Sequence, residues 1–277
     1  MNRLPIEKRA QIIGLLVEGM SMRAVSRVVG CSINTVTKLL EEVGFACNMY
    51  QSEHLRNLSC KRVQCDEIWA FCYSKERNVA PADKGVLGHG DVWTWTAIDA
   101  DSKLMVSYMV GKRDADYAEK FMTDVAGRIA NRVQLTTDGH TPYLNAVPDA
   151  FGPHVDYAML VKHYGVGSMT EQRRYSPAQL INTEQRTVAG KPDKAHISTS
   201  YVERANLTMR MGMRRFTRLT NGFSKKVENL EHAVSLHFMH YNFARVHQSL
   251  RVTPAMEAGL SDHVWSLEEI IALLGDK

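Results

Sequence analysis

The sequence predicts an α/β protein: a mixed five-stranded sheet flanked by helices, preceded by a small all-α unit. Three observations predict it. Residues 5–43 carry apolar positions at helical spacing only. From Val63 the chain changes to short apolar and aromatic runs bounded by turn residues, which read as strands. Beyond residue 115, runs with helical period alternate with such strands, giving the order β-β-β-α-β-α-β-α.

The all-α unit reads as three short helices. Pro5 suits a first helical position, and Ile6, Ala10, Ile13, Leu16 and Val17 follow at helical spacing until Gly19. Ser21 can cap a second helix from Met22 to Val29. Gly30-Cys31-Ser32 is a tight turn, and Ser32 can cap a third helix with Ile33, Val36, Leu39 and Leu40 on its apolar face. Two helices joined by a short Gly-containing turn form a helix-turn-helix, whose second helix enters the DNA major groove. Asn34, Thr35 and Lys38 face away from the apolar stripe and are the candidate DNA contacts. A plain three-helix packing module is the alternative.

Residues 46–62 have no strong period and read as a linker with room for one short helix. Val63–Phe71 is the first strand, 91–100 the second and 104–110 the third. Asp101-Ser102-Lys103 between the last two is turn chemistry, with Asp99 and Asp101 in turn roles. A helix is expected over 115–130, a fourth strand over 132–138, a helix from Thr141-Pro142, and a fifth strand over 155–160. The polar stretch 165–197 reads as an irregular insertion. A helix beginning near Ser200 and another over 227–246 complete the order, which is that of a ribonuclease-H-like fold. The expected divisions are 1–45 for the helix-turn-helix, 46–62 for the linker, 63–250 for the sheet domain and 251–277 for a tail.

The 277 residues carry a net charge of +4 and are 44% apolar, so a sizeable core is expected and global disorder is not. The charge is unevenly placed. Residues 1–62 hold nine Lys/Arg against five Glu, and residues 204–226 hold seven Lys/Arg and no acid. Two separate basic regions favour a polyanionic partner. Five cysteines, an odd number without a Cys-x-x-Cys pair, argue against a disulfide framework and for a reducing compartment. A zinc site from Cys47, His54, Cys60 and Cys65 would match no compact zinc spacing. With no long apolar run and a polar N-terminus, a cytoplasmic location is expected.

The candidate chemistry lies in three carboxylates. Asp66 sits inside an apolar strand, where an ionised carboxylate needs a metal, a partner or an exit to solvent. The bland reading is a salt-bridged strand residue. Asp138 precedes Gly139 at a strand end, where a turn-forming Asp-Gly is the rival. Glu203 begins a helix with a basic run behind it, and Ser200-x-x-Glu203 also fits a capping box. In the helix register Val202, Ala205, Met209, Met213 and Phe216 share one apolar stripe, while Glu203, Leu207, Arg210 and Arg214 share the adjacent face. In a ribonuclease-H-like sheet the first and fourth strands are neighbours, so Asp66 and Asp138 meet at one edge. Three hard-oxygen ligands suit a divalent ion and phosphodiester chemistry. His140, Lys162 and His163 are lesser candidates for phosphate or water contact.

Cys65-Asp66-Glu67-Ile68-Trp69-Ala70-Phe71, Thr136-Thr137-Asp138-Gly139 and Val202-Glu203-Arg204-Ala205-Asn206-Leu207-Thr208-Met209-Arg210, with Arg214-Arg215 through Glu228 behind them, resemble the insertion-sequence-one type of bacterial DDE transposase. The resemblance spans most of residues 63–245. It implies a catalytic and metal-binding triad of Asp66, Asp138 and Glu203 using Mg²⁺, with Mn²⁺ as a possible substitute. It also implies double-stranded DNA as partner, both the element's terminal inverted repeats and the target, and a homo-oligomer in the synaptic complex at the nucleoid. Arg204, Arg210, Arg214, Arg215 and Arg218 are the expected phosphate contacts beside the acids. The rival readings are a DNA-binding regulator with an inactive sheet domain and a structure-specific nuclease. The closing Tyr241…His247…Pro254 segment resembles the tail of other integrase-like transposases.

Overall fold

In the computed structural model, which describes residues 4–165, 180–217 and 220–275, the N-terminal helices are α1 (Ile6–Val17), α2 (Met22–Val29) and α3 (Ile33–His54). The caps that the sequence suggests are made. Ser21 Oγ accepts from Ala24 N at 3.2 Å and Ser32 Oγ from Asn34 N at 3.2 Å. Gly30 ends α2 with φ +68°, the left-handed turn that glycine adopts without a Cβ penalty.

α3 is 22 residues long, so most of the expected linker continues the same helix down to His54. Its lower half packs on α7 (Val227–Met239). Gly44 permits the approach: a Cβ there would lie 2.5 Å from His232 Cβ and 2.6 Å from the His232 carbonyl oxygen. Gln51, buried beside it, donates to the Ser235 carbonyl at 3.2 Å and to Tyr108 Oη at 2.9 Å. One apolar cluster therefore runs from Ile13 and Leu40 to Phe121, Phe243 and Ile270. The short helices α8 (Pro254–Glu257) and α9 (Leu267–Ala272) close the chain, and Leu267 packs over Gly14 of α1.

The sheet is six-stranded and mixed: β1 (Arg62–Cys72), β2 (Gly90–Asp99), β3 (Met105–Gly111), β4 (Val133–Thr137), β5 (Val155–Tyr164) and β6 (Leu180–Ala189), in the order β3-β2-β1-β4-β5-β6. The first three form an antiparallel meander; β4 and β5 run parallel to β1; β6 returns antiparallel on β5. This is the ribonuclease-H-like order with one strand more than expected. The extra strand lies in the stretch read as an irregular insertion, whose residues 166–179 are outside the described residues. α4 (Ala115–Ala126) and α5 (Tyr143–Phe151) cover one face, and α6 (Ser200–Gly212) with α7 the other.

Alternation along β1 sorts its side chains between the two layers. Ile68, Ala70 and Cys72 join Val202, Met209 and Met213 of the α6 side, whereas Val63 and Cys65 join the α4–α5 side. The apolar stripe expected on α6 is buried throughout, from Val202 at 0% exposure to Ala205 at 9%. Asp99 accepts from Ser102 N at 2.8 Å, the turn role expected of it, whereas the Asp101 carboxylate pairs with Arg62 of β1. Among the described residues no helix is long and apolar enough to cross a membrane.

Candidate acidic site

The parallel register Cys65↔Thr137 sets Asp66, within β1, beside Asp138, the residue that follows the end of β4. Asp66, Glu67 and Asp138 each offer a carboxylate oxygen, and these oxygens lie within 4.8 Å of one another. This is the one group of potential metal ligands among the described residues. Glu203 stands outside it.

Each acid is held differently. Asp66 Oδ2 accepts from Asn206 Nδ2 at 2.9 Å. Thr96 Oγ1 lies 3.1 Å from Asn206 Oδ1 and 3.0 Å from the Asp66 carbonyl oxygen, so its one proton is shared between the two acceptors. Burial, then the Asp138 charge, raises the Asp66 carboxyl to about 6, and Glu203 adds to the repulsion. Asp138 Oδ1 accepts from His140 N at 2.9 Å, and its Oδ2 faces Arg113 Nη2 at 3.4 Å.

Glu67 projects from the opposite face of β1, with a side chain only 1% exposed. It accepts from Arg113 Nε at 2.9 Å and from the Tyr143 hydroxyl. Burial and the Asp138 charge raise it to about 7, against the pull of Tyr143 and Arg113. Arg113, on the turn between β3 and α4, reaches round the end of β4 and lies over the Trp93 ring at 5.0 Å.

α6 is seated on β1 by a side chain. Gln64 Oε1, buried at 3% exposure, accepts from the free N–H groups of Tyr201 at 2.8 Å and Val202 at 3.2 Å. Asn206 thereby falls over Asp66, and Glu203, three residues earlier, faces the same acids. No capping box forms: Thr199 is the cap residue, and its hydroxyl and the Lys162 ammonium of β5 both donate to Glu203 Oε1. Asp138 and Glu203 thus each carry a cationic side chain, Arg113 and Lys162.

The structure brings Asp66 and Asp138 together and sets Glu203 beside them without placing it in the cluster. Glu67, Arg113, Tyr143 and Asn206 were not anticipated. Two of them had a visible signal: Glu67 adjoins Asp66 in an apolar strand, and Asn206 lies three residues from Glu203. His140 lies tilted against Trp95 and edge-on to Tyr143, with ring centroids 5.7 and 5.8 Å away, and burial lowers its pKa.

The candidate DNA contacts divide into groups. Asn34 and Lys38 are exposed on α3, with Lys38 Nζ 3.7 Å from Glu42, and Thr35 is half-buried. Arg204 and Arg214 are exposed and Arg210 is half-buried. Arg215 turns inward, donating to Ser224 Oγ at 2.6 Å and to Met22 Sδ at 3.4 Å, which ties the segment after α6 to α2. Arg218 is outside the described residues. Between the N-terminal helices and this segment lies a cleft of about 720 Å³ whose walls, largely apolar, carry Arg23, Arg214, Arg215 and Lys225 and no acid among the described residues. Tyr241 and Asn242 bond to Lys103 and Met105 beside β3.

The sequence matches no protein-family model and no curated protein. Solved structures similar to it include the Mos1 transposase paired-end complex with left transposon end, at 14% identity and TM-score 0.22. That likeness covers 54% of this chain and 57% of that one. The piggyBac transposase synaptic complex with hairpin DNA is similar over 97% of this chain and 69% of that one, at 11% identity and TM-score 0.41. The Mos1 strand transfer complex gives 15% identity, TM-score 0.22, and 54% and 56% coverage. This chain thus spans a little over half the length of the Mos1 chains.

Proposed function

We propose that the protein is a DNA transposase of the DDE type, and that its motifs' resemblance to the insertion-sequence-one enzymes reflects descent. The observation that carries the reading is the meeting of Asp66, within β1, and Asp138, just past the end of the adjacent parallel β4, with Glu203 facing them from α6. The substrate is double-stranded DNA, cut at the ends of an insertion sequence to free a 3′-hydroxyl that then attacks a target phosphodiester.

The donor set fits a divalent cation. Hard carboxylate oxygens crowd within 4.8 Å, and burial and then their mutual repulsion raise Asp66, a cost that a bound Mg²⁺ or Mn²⁺ would offset. Asp66 and Asp138 would hold the ion, and Glu203 would join once Lys162 releases it. Such an ion supplies an activated oxygen nucleophile and neutralises the leaving oxygen. Asn206 orients Asp66, and Thr199 orients Glu203. Arg113 neutralises Asp138 and is placed to turn toward a phosphate when that carboxylate is otherwise occupied. The basic cleft and the exposed face of α3 grip the duplex backbone and grooves.

The test is incubation with DNA from the flanks of the chain's own gene, with Mg²⁺, mapping nicks and joints. Wild type nicks at the element's ends and joins them to target. Asp66→Asn and Asp138→Asn bind the same DNA and do neither. Glu203→Gln is assayed separately, since its loss of cleavage identifies the third ligand. Metal-dependent cleavage surviving in all three variants overturns the reading, and nicking without joining points to a nuclease.

A further inference from the structure

β6 is the last strand of the sheet, and no described strand pairs with its outer edge. Eight of its ten residues, 180–187, are exposed, including Leu180 at 52% and Ile181 at 70%. An open edge with exposed side chains is a template for a further strand. The ladder of β6 on β5 is regular from Asn182 to Thr187, between an irregularity at either end. After β6 the chain turns away at Gly190 and crosses beneath the sheet, where Asp193 N bonds Gln134 Oε1 at 2.9 Å and His196 meets Arg62. Its path leaves the edge open.

The order of side chains along this edge identifies what it takes. We propose that β6 pairs antiparallel with β6 of a second copy, about a two-fold axis at Gln185, joining two sheets into one. In that register Glu184 of each copy faces Arg186 of the other, and Thr183 faces Thr187, each pair occurring twice. Opposite charges and Thr–Thr pairs are among the favourable cross-strand neighbours. A shift of two residues in partner numbering sets Glu184 against Glu184 or Arg186 against Arg186, so like charges exclude the neighbouring symmetric registers with these side chains on the same faces. The contact is isologous and closes at two copies. Edge pairing of this length falls below the roughly 1,200 Å² of standard interfaces, so the free dimer is weak and concentration-dependent.

The test uses the full chain with the half-buried Cys31 changed to Ser. Gln185→Cys is expected to form a disulfide dimer under mild oxidation. Ile181→Cys is not, because position 181 of the partner lies about 27 Å away in this register. In sedimentation at about 100 µM, a concentration chosen for so small an interface, Glu184→Arg is expected to lower the dimer fraction at least fivefold. Arg186→Glu does the same, and the double variant Glu184→Arg with Arg186→Glu restores it. Melting curves matching wild type establish that each variant is folded. Wild type that stays monomeric with Gln185→Cys uncrosslinked overturns the proposal. So does crosslinking of Ile181→Cys as readily as Gln185→Cys, or a dimer indifferent to charge reversal. None of these readouts depends on DNA cleavage, so failure here leaves the proposed activity standing.

Discussion

Arg113 stands between Glu67 and Asp138, 2.9 Å from the first carboxylate and 3.4 Å from the second. It is the counter-charge of a carboxylate that has almost no solvent. Arg113→Ala strands Glu67 in the interior, and a loss of about 1–3 kcal/mol is expected in chemical denaturation at pH 8. Adding Glu67→Gln recovers most of it, because the amide keeps a hydrogen bond to Tyr143 without a buried charge. A double variant no more stable than Arg113→Ala alone would contradict this.

The crowded acids make stability depend on pH in a definite direction. Glu67 is raised from 4.5 to about 7 and Asp66 from 3.8 to about 6. The folded chain then holds more protons than the unfolded chain between about pH 4 and 7, so these groups cost stability progressively as pH rises through that window. In metal-free buffer, Asp66→Asn is expected to gain on wild type by about 1–2 kcal/mol between pH 5 and 8. A difference that stays constant across that range sinks the claim.

Under the proposed function, metal is expected to act on the same carboxylates in the opposite direction. At a concentration one hundred times the dissociation constant, Mg²⁺ is expected to stabilise wild type by about 2.7 kcal/mol, and to do nothing for Asp66→Asn. Differential scanning with and without Mg²⁺ measures this. Equal shifts in both proteins would place the ion elsewhere.

Lys162 competes for Glu203. If Glu203 is a ligand, Lys162→Met lowers the Mg²⁺ midpoint of that thermal shift severalfold. An unchanged midpoint removes Glu203 from the metal site. Asn206→Ala probes the partner of Asp66 instead: cleavage is expected to fall about 10–100-fold, the usual range for residues that orient a ligand, with DNA affinity unchanged in a binding assay.

Gly44→Ala asks how firmly the N-terminal helices are built into the body. The added methyl group meets His232 backbone and Cβ atoms at 2.5–2.6 Å, and backbone cannot step aside as a flexible side-chain end does. Overpacking of this kind costs about 1–3 kcal/mol. A melting temperature equal to wild type would show that α3 and α7 part easily.

The legible parts of the sequence were those in which pattern and geometry coincide. β1 and β2 are apolar and bounded by turn residues, and the α6 stripe repeats at helical period. Asp66 stands out as a charge where none is free to lie. Glu67 was passed over because alternation usually sends every second residue of a strand to solvent, and here the fold puts Tyr143 and Arg113 on that side instead. β6 was missed because Asn182 to Thr187 are polar on both faces, as an exposed edge allows, so no period marks it. The continuation of α3 was hidden by Gly44, a weak helix former whose value is the close approach to α7. Nothing local distinguishes Arg113 or Lys162, since their partners are 25 and 41 residues distant in sequence.

α3 runs unbroken from the turn that exposes Asn34 to the buried Gln51, a distance of about 26 Å at 1.5 Å per residue. Such a helix acts as a measuring rod. Under the proposed function, a duplex seated on its tip would be held at a set distance and rotation from the body carrying Asp66, so the offset between the base pairs contacted and the bond presented would be written in helical rise. One residue inserted between Lys38 and Gly44 would turn the tip by about 100°, whereas four would return it near its original phase one turn further out.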